Sequence, residues 1–101
     1  MIARIWRGAT RKTDASAYVD YLRLTGLAEY RATPGNVGAW VLWRPVGERA
    51  EFITLSFWES RDAIRGFAGD EIERAVFYPE DDRFLVEREL TVEHYEVEAA
   101  P

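Results

Sequence analysis

Residues 50–58 constrain the fold more strongly than any other part of this chain. Their side chains alternate as in a β-strand, with Ile53, Leu55 and Phe57 on one side and Phe52, Thr54, Ser56 and Trp58 on the other. A strand with one side in water would carry charged residues along that side. After Glu51 neither side carries a charge. We therefore expect both faces of the sheet that holds this strand to be covered.

A helix is predicted directly after this strand. Ser60 is a favourable N-cap because its hydroxyl can accept a hydrogen bond from the first turn. Ala63, Ile64 and Phe67 recur at helical spacing and would face the core. Gly69 is typical of a helix end.

A second helical stretch is predicted from Asp70 onward. Asp70 is a good N-cap, and Glu73 follows at the spacing of a capping box. Pro79 would end this helix, because a proline ring clashes inside a helix. Residues 80–82 are interpreted as an acidic turn in water, since carboxylates adjacent in sequence rarely converge on one cation. We therefore expect no metal site.

The remaining pattern supplies one more helix and three more strands. The elements are a strand at 1–8, a helix from an N-cap at Thr13 to Leu24, a short helical turn at 27–31, a strand at 37–45 and a last strand at 88–97. Turn-forming residues at 33–36 and 45–49 separate them.

The order of elements is strand, helix, strand, strand, helix, strand. This order is typical of the α+β ferredoxin-like βαββαβ fold, with an antiparallel sheet. Helices cover only one face of such a sheet, and the other face is too apolar for water. We therefore expect a homodimer whose sheets close on each other as a dimeric α+β barrel. The length of 101 residues favours one domain, 1–97, with a frayed tail at 98–101.

Composition disfavours several classes of protein. The formal net charge is −5 and the basic residues are scattered, which argues against binding of nucleic acid. The chain has no cysteine, so disulfides, thiolate catalysis and Cys-ligated metals are excluded. The first residues do not form a signal peptide, and no segment reaches transmembrane length. We therefore expect a cytoplasmic protein with no membrane partner.

The junction Phe57-Trp58-Glu59-Ser60, the helix after it and the order of elements resemble those of the antibiotic-biosynthesis-monooxygenase family, in the dimeric α+β-barrel superfamily. The similarity spans nearly the whole chain. It implies the fold and the dimer described above, with a pocket between sheet and helices. Family members include cofactor-free oxygenases of aromatic polyketides, heme-degrading enzymes and many proteins with no known activity.

The resemblance also separates two branches of that family. The heme-degrading branch uses an Asn on the first strand, a Trp on the second helix and a His at the end of that helical region. Alignment through the helices puts Trp6, Phe67 and Phe77 at those places, so all three depart from the pattern. The resemblance thus favours the cofactor-free branch, in which the protein orients and desolvates a phenolic substrate whose anion reacts with O2.

Three residues are candidates for catalysis, namely His94, Arg4 and Trp6. His94 is the only histidine, and its ordinary pKa of about 6.5 suits a general base. The alternative is a structural histidine bonded to a neighbour. Arg4 lies on an otherwise apolar strand and would steady a phenolate, or else pair with a carboxylate such as Glu93 or Glu96.

An aromatic box for a flat substrate is predicted from Trp6, Trp58, Phe67, Phe77 and Tyr78, with Thr54 and Ser56 as pocket hydroxyls. Packing of an aromatic-rich core is the alternative for each of these residues. The function expected is a cofactor-independent monooxygenase for a small aromatic or polyketide-like substrate. A non-catalytic or accessory dimer that binds a small aromatic ligand is the second hypothesis, and heme degradation the third.

Overall fold

The computed structural model describes all residues from Met1 to Pro101. Along the chain the elements are β1 (Ile2–Arg11), a 3-10 turn (Lys12–Asp14), α1 (Ala15–Leu24), α2 (Gly26–Ala32), β2 (Asn36–Val46), β3 (Arg49–Trp58), α3 (Arg61–Ala68), α4 (Asp81–Phe84), β4 (Leu85–Arg88) and β5 (Glu93–Glu96). None of the helices has both the length and the hydrophobicity that crossing a bilayer requires.

The five strands form one antiparallel sheet with β1 at its centre. β1 pairs with β3 along its whole length, β3 pairs with β2, and both β4 and β5 pair with the other edge of β1. The last part of the chain therefore lies beside the first strand. This arrangement confirms the α+β ferredoxin-like fold with an antiparallel sheet that the order of elements predicts.

The helices cover one face of the sheet, and the core lies beneath them. Phe52, Thr54, Ser56 and Trp58 of β3 all point to this side and are buried. The core has two clusters, the first around Tyr18 and Phe52 and the second around Trp58 and Ile64.

The opposite face of the sheet is apolar and open. Trp40 on β2 lies beside Leu55 on β3, and Leu42 lies beside Ile53. Trp40 is 54% exposed and Leu42 is 46% exposed. The expected cover is thus present on the helical side, and an apolar surface remains on the other.

The helix predicted from Asp70 is wrong. Residues 69–80 contain turns but no helix. Arg74 instead forms a β-bridge with Thr91, and the backbone N–H of Val92 donates to the carbonyl of Glu73 at 2.8 Å. Pairing with a distant segment therefore outweighs the local capping signal. Of the strand predicted at 88–97, only β5 (Glu93–Glu96) is a regular strand, and β4 (Leu85–Arg88) was not predicted.

Of the helix ends predicted at Ser60, Gly69 and Thr13, the first two are confirmed and the third is wrong. The hydroxyl of Ser60 accepts from the backbone N–H of Ala63 at 3.1 Å, which confirms this N-cap. Gly69 ends α3 with φ +80°, a left-handed conformation that glycine adopts without strain. The N-cap predicted at Thr13 is wrong, because the chain enters α1 through a 3-10 turn without a side-chain cap.

Candidate functional site

A small cavity lies between the sheet and the helices, and is here called the sheet–helix cavity. It is lined by residues of both core clusters, by β1, α1, α2 and β3, and by residues 76–78. Its volume is about 30 Å³, enough for one or two water molecules. Since 76–78 belong to the irregular segment 69–80, a ring-sized ligand would require this segment to move outward.

The guanidinium of Arg4 is the cationic group of the cavity lining. Arg4 is 2% exposed. Its guanidinium donates to the carbonyl of Ile72, to the carbonyl of Arg74 at 3.0 Å and to His94 Nε2 at 3.0 Å. These bonds use three of the five guanidinium N–H groups, and the hydroxyl of Tyr30 acts as a further hydrogen-bond partner. The site therefore contains a buried cation that is held by neutral groups.

No carboxylate pairs with this cation. The predicted pairing with Glu93 or Glu96 is wrong, because Glu93 pairs with Arg7 and Glu96 pairs with Arg61 at 2.8 Å. Burial lowers the pKa of Arg4, while Tyr30 and Glu73 act in the opposite direction. Guanidinium is so basic that Arg4 stays protonated. The positive charge is thus available to a ligand.

His94 lies behind Arg4 and does not line the cavity. Because arginine only donates, Nε2 of His94 accepts, and the proton of the neutral ring lies on Nδ1. Burial, followed by the positive charge of Arg4, lowers the pKa of His94. An occupied lone pair and a lowered pKa both weaken a general base, so the geometry favours the structural role.

Four of the predicted aromatic residues line the cavity, namely Trp6, Phe67, Phe77 and Tyr78. The ring of Trp6 meets that of Phe77 edge-on at 6.2 Å, and its indole N–H donates to the carbonyl of Glu89 at 2.8 Å. The Arg4 guanidinium lies 5.8 Å from the ring centre of Phe67. Phe77 lies outside any helix, contrary to the expected alignment.

Ser56 and Trp58 do not line the cavity. The indole N–H of Trp58 donates to Ser56 Oγ at 2.9 Å, and both side chains are fully buried. Each polar group satisfies the other inside the core. Thr54, two residues earlier on the strand, does line the cavity.

Asp81 was not predicted as a site residue, because residues 80–82 were interpreted as an acidic turn in water. Asp81 is 3% exposed and lines the cavity. Its Oδ1 accepts from the hydroxyl of Tyr18 at 3.0 Å, and its Oδ2 accepts from the backbone N–H of Tyr78 at 2.6 Å. Burial, and then Asp81, raise the pKa of Tyr18, which therefore stays a donor. The apolar Phe84 three residues later was the available signal that this turn faces the core.

The hydroxyl of Tyr78 is buried without a hydrogen-bond partner. Burial, and then the negative charge of Glu29, raise the pKa of this phenol. The hydroxyl is therefore protonated, and it adds a further polar group to a lining that already holds Arg4, Thr54 and Asp81.

A larger groove of about 630 Å³ lies among β1, β2, β3 and β4, and is open. Its charged side chains are largely paired, for example Arg44 with Glu51 at 2.9 Å and Arg7 with Glu93. The smaller cavity holds the unpaired buried groups, so we take it as the candidate site. The structure contains no cluster of three or more His, Cys, Asp or Glu side chains arranged for a metal ion.

The architecture defines the class: the chain has the fold of antibiotic biosynthesis monooxygenase proteins, which confirms the resemblance at the level of the fold. A candidate antibiotic biosynthesis monooxygenase from Bacillus cereus matches with a TM-score of 0.70 and 18% identity, covering 100% of this chain and 94% of the other. Another from Nitrosomonas europaea matches at 0.68 and 14%, covering 98% and 100%.

A heme-degrading protein shares the same fold. The heme-degrader MhuD from Mycobacterium tuberculosis, with two hemes bound in its active site, matches with a TM-score of 0.60 and 17% identity, covering 100% of this chain and 99% of the other. No protein-family model and no curated protein sequence matches the chain. At these identities the likeness establishes the fold alone.

Proposed function

We propose that this protein is a cofactor-independent monooxygenase for a small aromatic, polyketide-like substrate bound in the sheet–helix cavity. The observation that carries the proposal is Arg4, a buried cation that forms no ion pair and is hydrogen-bonded only to neutral groups. A substrate that develops negative charge on oxygen would complete this site. The named monooxygenase candidates with this fold give further support.

The chemistry follows from the lining. The aromatic walls orient a flat ring, and burial keeps water away from the anion. Arg4 stabilises negative charge on a substrate oxygen, since fixed donors in a dry site act strongly on developing charge. The substrate enters as its phenolate or enolate, after its proton has passed to solvent water. The electron-rich anion adds O2 at a ring carbon, and the protonated peroxide loses water to leave a carbonyl, so that the substrate itself supplies both electrons. In this scheme no residue needs to hold a metal or a prosthetic group.

Substrate binding in this scheme displaces the segment 69–80. This segment covers the cavity with irregular backbone. It is anchored to residues 90–92 through Arg74 and Glu73, and to β1 through the hydrogen bonds of Arg4 to the carbonyls of Ile72 and Arg74. Its opening would therefore exchange these hydrogen bonds of Arg4 for hydrogen bonds to the substrate.

We also propose that the protein forms a homodimer through the open face of the sheet. Trp40, Leu42 and Tyr95 on that face are about half exposed. An exposed apolar patch of this kind is an aggregation hazard unless a partner covers it, and the ion pairs Arg7–Glu93 and Arg44–Glu51 lie beside it on the same face. A second copy supplies the same apolar surface, as in a two-fold interface.

A non-catalytic dimer that binds an aromatic ligand is the second candidate. It is favoured by the position of His94, whose Nε2 accepts from Arg4 and which lies outside the cavity. Saturable quenching of tryptophan fluorescence by an aromatic ligand, without oxygen uptake, would support this candidate over the oxygenase.

Heme fits the lining poorly. The cavity lining offers no imidazole, and iron would meet only hydroxyl, phenol or carboxylate oxygens there. The bound hemes of MhuD make a direct check worthwhile. We expect no saturable Soret shift when hemin is added to the protein, and a stoichiometric shift would favour heme degradation instead.

Oxygen consumption tests the proposal. Metal-stripped protein is assayed with anthrones, naphthols and hydroquinones, and we expect uptake with at least one electron-rich phenol or anthrone. Arg4→Gln should lower that uptake at least about tenfold, because it removes the charge that stabilises the anion. Arg31→Gln, on the exposed side of α2, is the matched control and should retain activity. Absence of uptake across the panel would contradict the oxygenase.

A further inference from the structure

Two opposite charges line the same cavity without being paired. Asp81 forms no ion pair. The neighbouring carboxylates do, Asp82 with Arg88 at 2.6 Å and Glu80 with Arg83 at 3.4 Å. Arg4 has no anion. Burying a charge without a counter-charge costs free energy, and hydrogen bonds offset only part of that cost, so a ligand group of complementary character would stabilise each of the two charges.

The two charges lie at different ends of the cavity. Arg4 contacts the second core cluster through Ile72 and Phe67. Asp81 contacts the first cluster through the hydroxyl of Tyr18. The cavity therefore has a cationic group on the side of the second cluster and an anionic group on the side of the first, with aromatic side chains in the same lining.

Asp81 is held as a hydrogen-bond acceptor. Its two oxygens receive one hydrogen bond each, from Tyr18 and from the backbone of Tyr78. A carboxylate has about four acceptor positions, so about two stay free for a ligand. The two protein donors fix the orientation of the carboxylate, and the orphan hydroxyl of Tyr78 lies on the residue that supplies one of them.

We propose that the sheet–helix cavity recognises a planar aromatic ligand with an acidic oxygen at one end and a hydroxyl at the other. The acidic oxygen accepts from Arg4, and the hydroxyl donates to Asp81. Asp81 is thus the residue that selects hydroxylated ligands. The inference rests on the proposed function and narrows its ligand class to aromatic hydroxy acids and close analogues.

Three probes test this selectivity by calorimetric titration: 6-hydroxy-2-naphthoate, 2-naphthoate and 2-naphthol. The wild type should bind the hydroxynaphthoate roughly tenfold more tightly than 2-naphthoate, as expected of a hydrogen bond to a charged acceptor. Asp81→Asn should bring these two affinities close together. Asp82→Asn, one residue away and exposed, should keep the tenfold ratio. Arg4→Gln should weaken the binding of both acids and leave the ratio of their two affinities unchanged.

The outcomes separate this inference from the proposed function. Binding of all three probes without preference for the hydroxyl, or a preference that survives in Asp81→Asn, overturns the role of Asp81 and leaves the aromatic site standing. Absence of binding by every probe overturns both. If Asp81→Asn fails to fold, Tyr18→Phe replaces it. That variant frees Oδ1 of Asp81, so the preference for the hydroxyl should rise, and a fall would overturn the inference.

Discussion

Burial and the neighbouring positive charge of Arg4 disfavour protonation of His94, the only histidine. Burial, and then Arg4, lower the pKa of His94 below its ordinary value of 6.5. The folded protein therefore binds a proton there less readily than the unfolded chain does. The resulting stability is fully present above the unfolded pKa of about 6.5, and it is lost as the pH falls from that value toward the folded pKa.

His94→Gln tests this linkage. Its amide oxygen can still accept from Arg4 but does not titrate. We expect the free energy of unfolding to decrease between pH 7 and pH 5 in the wild type more than in the variant. Urea unfolding at several pH values measures both slopes. Equal slopes would show that His94 does not titrate with a lowered pKa in the folded protein.

Ser56 has a structural role that a stability measurement can separate from a role in binding. Ser56→Ala removes the acceptor of the buried indole N–H of Trp58, which should cost about 1–3 kcal/mol of stability. Aromatic ligand affinity should not change, because Ser56 does not line the cavity. Ser16→Ala, exposed on α1, should have little effect. If Ser56→Ala instead lowered ligand affinity and left stability unchanged, Ser56 would have a role in binding.

At the scale of single residues, the sequence indicated a buried role for Arg4 but not for Asp81. Arg4 was conspicuous because a charge on an apolar strand must find a buried partner. Its actual partners are two backbone carbonyls and His94, and backbone carbonyls leave no signal in a sequence. Asp81 stayed hidden because it stands in a run of acids, where only the three-dimensional packing of Tyr18 distinguishes it from its exposed neighbours.

At the scale of elements, local patterns predicted what local interactions determine. The start and end of β3 were predicted to within one residue, because alternation of apolar side chains is a property of the strand itself. The segment 69–80 was predicted as a helix, because its capping signals are also local. Its conformation depends on pairing with residues 90–92, which lie far away in sequence.

Gly69 is the element-scale position where backbone geometry is most restrictive. Its φ of 80° and ψ of −173° lie in a region open essentially to glycine alone. Gly69→Ala should therefore destabilise the protein by about 1–3 kcal/mol in thermal or urea unfolding. Gly26→Ala is the matched control. A methyl group there would stand 4.0 Å from Tyr78 Cε2 in a helix, so we expect little loss of stability. Equal effects of the two changes would contradict this assignment.

At the scale of the whole molecule, the apolar open face of the sheet predicts a dimer. Trp40→Glu places a charge on the apolar part of that face and should yield a monomer in sedimentation at micromolar concentration. Leu24→Glu is the control, because Leu24 is 81% exposed on α1, on the helical side. A monomeric wild type, or a Trp40→Glu variant that still dimerises, would show that another surface or none forms the interface.

The four tryptophans allow the most direct test of where an aromatic ligand binds. Trp6 lines the sheet–helix cavity, Trp58 lies in the core, Trp40 lies on the open face and Trp43 lines the larger groove. We would titrate ¹⁵N-labelled protein with 6-hydroxy-2-naphthoate and follow the four indole N–H signals by NMR. Binding in the cavity predicts a saturable shift that is largest for Trp6. A largest shift at Trp43 or Trp40, with Trp6 unmoved, would contradict the central claim that this cavity is the functional site.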